Sequence, residues 1–155
     1  MKTSKIVFLG ATLTLFVLLF GCTEEEPLIV PDVPVNLQIN LTLPEFSALN
    51  AIGNAVMIKG YAGGVQVGYN NNGIIAYRRL DNSTSEPFFA FDASCPQHIE
   101  VSTSVTLDEN GFAQTATCPH CSTVYNLENH GYPSSGYALK RYRTSVSGNM
   151  LYVTN

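Results

Sequence analysis

A chain of 155 residues, 45% hydrophobic and only 13% charged, is sized for one modest folded domain plus a short accessory segment. Its formal net charge of −4 argues against nucleic acid or an anionic lipid surface as a partner. No GxSxG, P-loop or HExxH pattern is present and the acids are scattered, so the common hydrolase and transferase constellations are excluded and no small-molecule substrate is evident.

The N-terminus reads as an export signal. Lys2 and Lys5 precede an apolar run from Ile6 to Phe20, of secretory-signal length, for which a plain signal peptide and a single anchoring helix are the alternatives to a lipoprotein signal. The run ends in Leu19-Phe20-Gly21-Cys22, which resembles a bacterial lipobox, so residues 1–21 are expected to be a signal peptide and Cys22 the lipidated first residue. Acyl chains on Cys22 would hold the protein at a membrane, each buried methylene contributing about 0.8 kcal/mol. Removing Lys2 and Lys5 takes the mature chain to a net charge of −6. Glu24, Glu25 and Glu26 form a solvated tether, or resemble the acidic tags that send some Bacteroidetes lipoproteins to the cell surface. The expected location is therefore the cell envelope, as an outer-membrane lipoprotein on its periplasmic face or at the surface. Pro27, Pro31 and Pro34 stiffen the linker of residues 22–34, and the folded domain is expected over residues 35–155.

From Val35 onward the pattern is β. Residues 35–41 alternate apolar and polar, the signature of a half-buried strand. Further short strands are predicted at Val56-Met57-Ile58, Val65-Gln66-Val67, Ile74 to Tyr77, Phe88 to Phe91, Gln114 to Thr117, Tyr137 to Tyr142 and Met150 to Val153. Turn signals separate them: Gly63-Gly64, Asn70-Asn71-Asn72-Gly73, Glu109-Asn110-Gly111 and Ser147-Gly148-Asn149. A short helix is predicted only within Glu45 to Asn54. The predicted fold is all-β, a small antiparallel sandwich or barrel.

The chemistry is concentrated in two knuckles, Cys95-Pro96-Gln97-His98 and Cys118-Pro119-His120-Cys121, separated by 19 residues. Each knuckle turns back on itself and points two side chains the same way, so the pair brings four soft or borderline ligands to one point. Cys95, His98, Cys118 and Cys121 are the predicted metal ligands. A cysteine-protease reading of Cys95 with His98 fails, because the two share one tight turn with no third group to orient the base.

These knuckles, with Ser122-Thr123-Val124-Tyr125-Asn126-Leu127 and the stretch from Gly131 to Tyr142 behind them, resemble the Rieske iron-sulfur family. Upstream, Asn40 to Pro44, Gly63-Gly64-Val65, Gly73 to Arg78 and Phe89 to Asp92 are similar to the same family, so the resemblance spans residues 35–155. It implies a β domain with two metal-binding loops, a [2Fe-2S] cluster, one-electron transfer and an unknown redox protein as partner. The chain then reads as a carrier or binding module rather than an enzyme. Two family positions are altered: Gln97 stands where the first His ligand belongs, with His98 one place later, and Cys121 stands where the second belongs, with His120 one place earlier.

Three readings of the four residues stay open. They hold a [2Fe-2S] cluster with three thiolates and one imidazole, at lower potential than a Cys2His2 centre. They bind one Zn2+ as a Cys3His tetrahedron and serve a structural or binding role. Or no metal binds, and Cys95 pairs with Cys118 or Cys121 in an oxidising compartment. The signal's Lys2-Thr3-Ser4-Lys5 lacks the Arg pair that accompanies export of a folded, cluster-bearing protein, which bears against the first. His120 is an alternative ligand, a hydrogen-bond donor to the cluster, or a solvent-exposed knuckle residue; Ser122 donates to a sulfur or caps the turn; Tyr125 hydrogen-bonds a thiolate or is a buried strand aromatic. His130 reads as a turn residue, and Pro133 to Gly136 as a loop covering the site.

Overall fold

The computed structural model describes residues 29–60, 67–81, 85–108 and 114–155. The expected signal peptide, Cys22, the acidic run, Gly63-Gly64, most of Val65-Gln66-Val67 and Glu109-Asn110-Gly111 lie outside them.

The described chain is all-β, as the alternating pattern predicts, with ten strands in two antiparallel sheets. In chain order the strands are β1 (Asn36–Asn40), β2 (Ala55–Ile58), β3 (Ile74–Arg78), β4 (Phe88–Asp92), β5 (Thr106–Leu107), β6 (Thr115–Thr117), β7 (Val124–Asn126), β8 (Tyr132–Pro133), β9 (Arg141–Ser147) and β10 (Met150–Thr154). The larger sheet runs β1-β10-β9-β4-β3-β2 and the smaller β5-β6-β7-β8. The first and last of the described strands pair, Leu37 opposite Val153, and Val35 N donates to Asn155 Oδ1 at 3.0 Å, which closes the start of the β domain onto residue 155.

The middle of the larger sheet explains why Phe88-Phe89-Ala90-Phe91 is apolar without a break. Successive side chains leave a strand on opposite faces, so a strand covered on both sides reads as a continuous hydrophobic run. Ile74, Ala76, Phe88 and Ala90 face one core, with Leu37, Ile39, Phe46, Leu49, Leu151 and Val153. Ile75, Tyr77, Phe89 and Phe91 face a second core, completed by Ala116, Tyr125 and Leu127 of the smaller sheet side and by Leu139. Each fully buried large apolar side chain here contributes roughly 1.5–3 kcal/mol. Cys95 and Cys118 belong to the second core, so the thiols sit where the sheets meet.

Three expectations are corrected. The helix within Glu45 to Asn54 is a 3-10 turn over Pro44–Asn50; it closes on Ala51 N to Ala48 O and seats Phe46 and Leu49 in the first core. The strand expected over Tyr137 to Tyr142 begins only at Arg141, because Leu139 is drawn into the second core and the Lys140 ammonium is held by Pro31 O at 2.8 Å and Asp32 Oδ1 at 2.6 Å. The two-residue strands β5 and β8 and the three-residue β7 were too short to carry a period and were not among the predicted strands.

Candidate metal centre

The first cysteine loop leaves the end of β4 through Asp92-Ala93-Ser94, and Asp92 is its anchor. Its carboxylate is fully buried and accepts three hydrogen bonds: from Tyr142 Oη at 2.6 Å and Tyr69 N at 2.7 Å on Oδ2, and from Ser94 N at 2.8 Å on Oδ1. The Asn-rich turn, with Asn70 and Asn71 at positive φ, braces the same segment. Asn72 Nδ2 donates to Ser94 Oγ at 2.9 Å, and Ser104 Oγ to Asn72 O at 2.8 Å. Cys95 N donates to Thr103 O at 2.9 Å, and the intervening Pro96–Val101 3-10 turn is kinked at His98, with φ −142° and ψ 60°.

The second loop is the connection of the β6-β7 hairpin. Ser122, at φ 59°, donates its N–H to Cys118 O at 2.8 Å, while Cys118 N donates to Thr123 O at 2.9 Å. These bonds close the knuckle and turn Cys118 and Cys121 toward Cys95. The three Sγ atoms lie within 4.8 Å of one another, with Cys95 and Cys121 in contact at 3.7 Å; all three are free thiols. Cys95 and Cys118 are buried and Cys121 is partly exposed.

Two hydroxyls meet the sulfurs. Tyr125 Oη is 3.2 Å from Cys95 Sγ, and Thr123 Oγ1 is 3.1 Å from Cys121 Sγ. Tyr125 is thus both the buried strand aromatic and the thiol's hydrogen-bond partner; Ser122 contributes its backbone to the turn. Burial pushes the Cys95 thiol up to about 11, despite the hydrogen bond from Tyr125. Burial also acts to raise Cys121, but hydrogen bonds from the Thr123 side chain and backbone, and from Cys118 and Cys95, outweigh it and bring that thiol to about 7.

His98 is not among the three-thiol group. Its side chain is 41% exposed, with Nδ1 3.6 Å from Glu100 Oε1, and its ring stands edge-on to exposed His120 at 5.1 Å between centroids. The two imidazoles of the knuckles therefore sit together on the solvent side. The segment after β8 packs on the first loop: Gln97 Nε2 donates to Tyr137 O at 2.9 Å, and a Cβ on Gly136 would lie 2.4 Å from the Gln97 amide. His130 occupies a turn at φ 53°, with Nδ1 3.0 Å from an Arg141 guanidinium nitrogen. A separate cleft of about 760 Å³, lined by Val30, Asp32, His130, Lys140, Arg141 and Arg143 among others, includes none of the thiols.

Asp92 and Thr123 are the site residues that sequence reasoning missed. A single carboxylate three places before a cysteine and a threonine two places after one carry no periodic or motif signal.

The thiol geometry can be set beside the dimensions of metal groups. Four ligands around one ion at about 2.3 Å place neighbouring sulfurs about 3.8 Å apart, close to the Cys95–Cys121 contact. A two-iron cluster divides its ligands two and two, and thiolates on different irons are separated by the whole Fe2S2 core plus a bond at each end. Three thiols within 4.8 Å of one another are close enough to hold a metal ion between them.

No known family model matches the chain, and no curated protein matches it. Among solved structures it is similar to a crystal structure described as a nitrite reductase NADPH small-subunit oxidoreductase protein, with 14% identity over 77% of this chain and 99% of that one, at a TM-score of 0.39. At that score the likeness carries no weight for the site, and the thiol geometry stands by itself.

Proposed function

We propose that Cys95, Cys118 and Cys121 hold one soft metal ion, zinc above all, with His98 as the fourth ligand, in an exported domain anchored to the membrane through lipid on Cys22. The observation that carries this reading is the mutual approach of the three thiols within 4.8 Å. His98 is the residue at which the first knuckle's turn is kinked, and its imidazole would have to turn inward to reach the three sulfurs. Zinc in this setting supplies a cross-link between the two loops and no open catalytic position. The chain does the rest: Asp92 fixes the first loop, Tyr125 and Thr123 place hydroxyls on two of the sulfurs, and partly exposed Cys121 gives the entry route. The domain then acts as a metal-stabilised binding module of the cell envelope.

The second reading is a Rieske-like [2Fe-2S] electron carrier serving an unknown redox protein. It is favoured by the hydroxyls of Tyr125 and Thr123 on the sulfurs, since hydrogen bonds to cluster sulfurs tune potential. It requires the three thiols to divide between two irons, one of them withdrawing from the other two.

Zinc, iron and acid-labile sulfide content of the full chain purified without oxygen, with a visible spectrum, separates the two. One zinc, no sulfide and no colour supports the single-ion reading. Two irons and two sulfides with visible absorption would replace it by the carrier.

A further inference from the structure

We propose that Cys121 is a site of reversible oxidation by peroxide, and that the product is a disulfide between Cys121 and Cys95. The inference rests on the metal reading only in that a bound ion would shield the thiols; the disulfide itself follows from their placement. Cys121 is the one partly exposed thiol of the three, so an oxidant from solvent meets it first. Its sulfur already touches Cys95 Sγ at 3.7 Å, and a disulfide of about 2.05 Å needs the two to close by roughly 1.7 Å. Cys121 lies on the connection between β6 and β7, and Cys95 on the loop after β4, so the link would join the two loops.

Cys118 is the competing partner, three residues away in the same knuckle. The bonds Ser122 N to Cys118 O and Cys118 N to Thr123 O hold that knuckle closed and keep its own two sulfurs near each other, so this link is the alternative that the test must exclude. Cys95 lies on the other loop with its sulfur in direct contact with that of Cys121 at 3.7 Å, which favours it as the partner.

The chemistry balances in two steps. The Cys121 thiolate attacks one oxygen of hydrogen peroxide, breaking the O–O bond to give a sulfenic acid and hydroxide. Cys95 sulfur then attacks the Cys121 sulfur; the S–O bond breaks, and the departing hydroxide takes the Cys95 proton as water. Two electrons pass from the pair of sulfurs to peroxide, and a small dithiol returns them. With Cys95 and Cys121 joined, one thiol of three is left and the metal site is lost.

The test is peptide mapping by mass spectrometry, under non-reducing conditions, of the full chain stripped of metal with a chelator, exposed to hydrogen peroxide and alkylated. The expected product is a Cys95–Cys121 cross-linked peptide, reversed by dithiothreitol, with Cys118 alkylated only after unfolding. Cys118→Ser should keep the link and Cys121→Ser abolish it. A dominant Cys118–Cys121 link, or sulfinic acid at Cys121 with no link, overturns the proposal. Preloading with Zn2+ should slow the link by about tenfold or more. A link that forms equally fast with zinc present leaves the disulfide standing and counts against the metal reading alone.

Discussion

Replacing Asp92 by alanine removes the acceptor of three hydrogen bonds at once: Tyr142 Oη, Tyr69 N and Ser94 N lose their partner in a fully buried position. A buried donor left unsatisfied costs about 1–3 kcal/mol. Because Tyr69 is only partly buried and relief of the carboxylate's desolvation offsets part of the loss, the low end applies, about 3–4 kcal/mol in all. Against roughly 6–18 kcal/mol for a domain of this size, that is a large share of the total. Urea unfolding followed by tyrosine fluorescence should show the midpoint falling by about 2 M for an m-value near 2 kcal/mol/M. Tyr142→Phe removes one donor and leaves Asp92 two, so it should cost only about 1 kcal/mol. Burial, then the bond to Asp92, pushes the Tyr142 phenol well above its ordinary range, so it stays protonated across the pH range of the assay. An Asp92→Ala variant within 1 kcal/mol of the parent, or one equal to Tyr142→Phe, would refute the anchoring role of the carboxylate.

Further outcomes follow from the same geometry. Cys121→Ser should weaken zinc binding at least a hundredfold in a competition titration with a chromogenic chelator while leaving urea stability of the metal-free chain within about 0.5 kcal/mol, since the side chain is partly exposed. Tyr125→Phe takes a hydroxyl from Cys95 Sγ and should lower zinc affinity by about tenfold, the value of one charge-assisted hydrogen bond. Zinc affinity should rise with pH: metal binding expels protons, and between about pH 7 and 11 Cys121 has already lost its proton while Cys95 has not, so each unit gains at least about tenfold, and more steeply below 7. Affinity flat over that window contradicts the assignment of Cys95 as a ligand. Gly68→Ala places a Cβ 2.4 Å from Gly73 O at φ +74°, and should destabilise by about 2 kcal/mol or more through the turn that braces the first loop.

Much of the fold was legible because its strands obey simple periods. Leu37 and Ile39 on β1 alternate with polar neighbours, and the unbroken Phe88 to Phe91 run marks a strand between two layers. β9 was misplaced for the opposite reason. Its residues Arg141–Ser147 are mostly exposed and polar, so β9 is fixed by pairing with β10 and β4, which no local pattern announces. At the site, the knuckle spacing pointed directly to the three thiols, because turns of that length force their side chains together. It did not position His98, since the backbone kink there depends on how the Pro96–Val101 turn packs rather than on residue spacing. Nor did it reach Asp92 or the brace from Asn72, whose contacts span more than twenty residues of sequence.

The most direct test of a single ion shared by Cys95, Cys118 and Cys121 is X-ray absorption fine structure at the metal edge of the full chain, purified without oxygen. The account predicts zinc with three sulfur neighbours near 2.3 Å, one nitrogen near 2.0–2.1 Å, and no metal–metal scattering. Iron with a second iron behind a shell of bridging sulfide, or a metal with fewer than three sulfur neighbours, would contradict it.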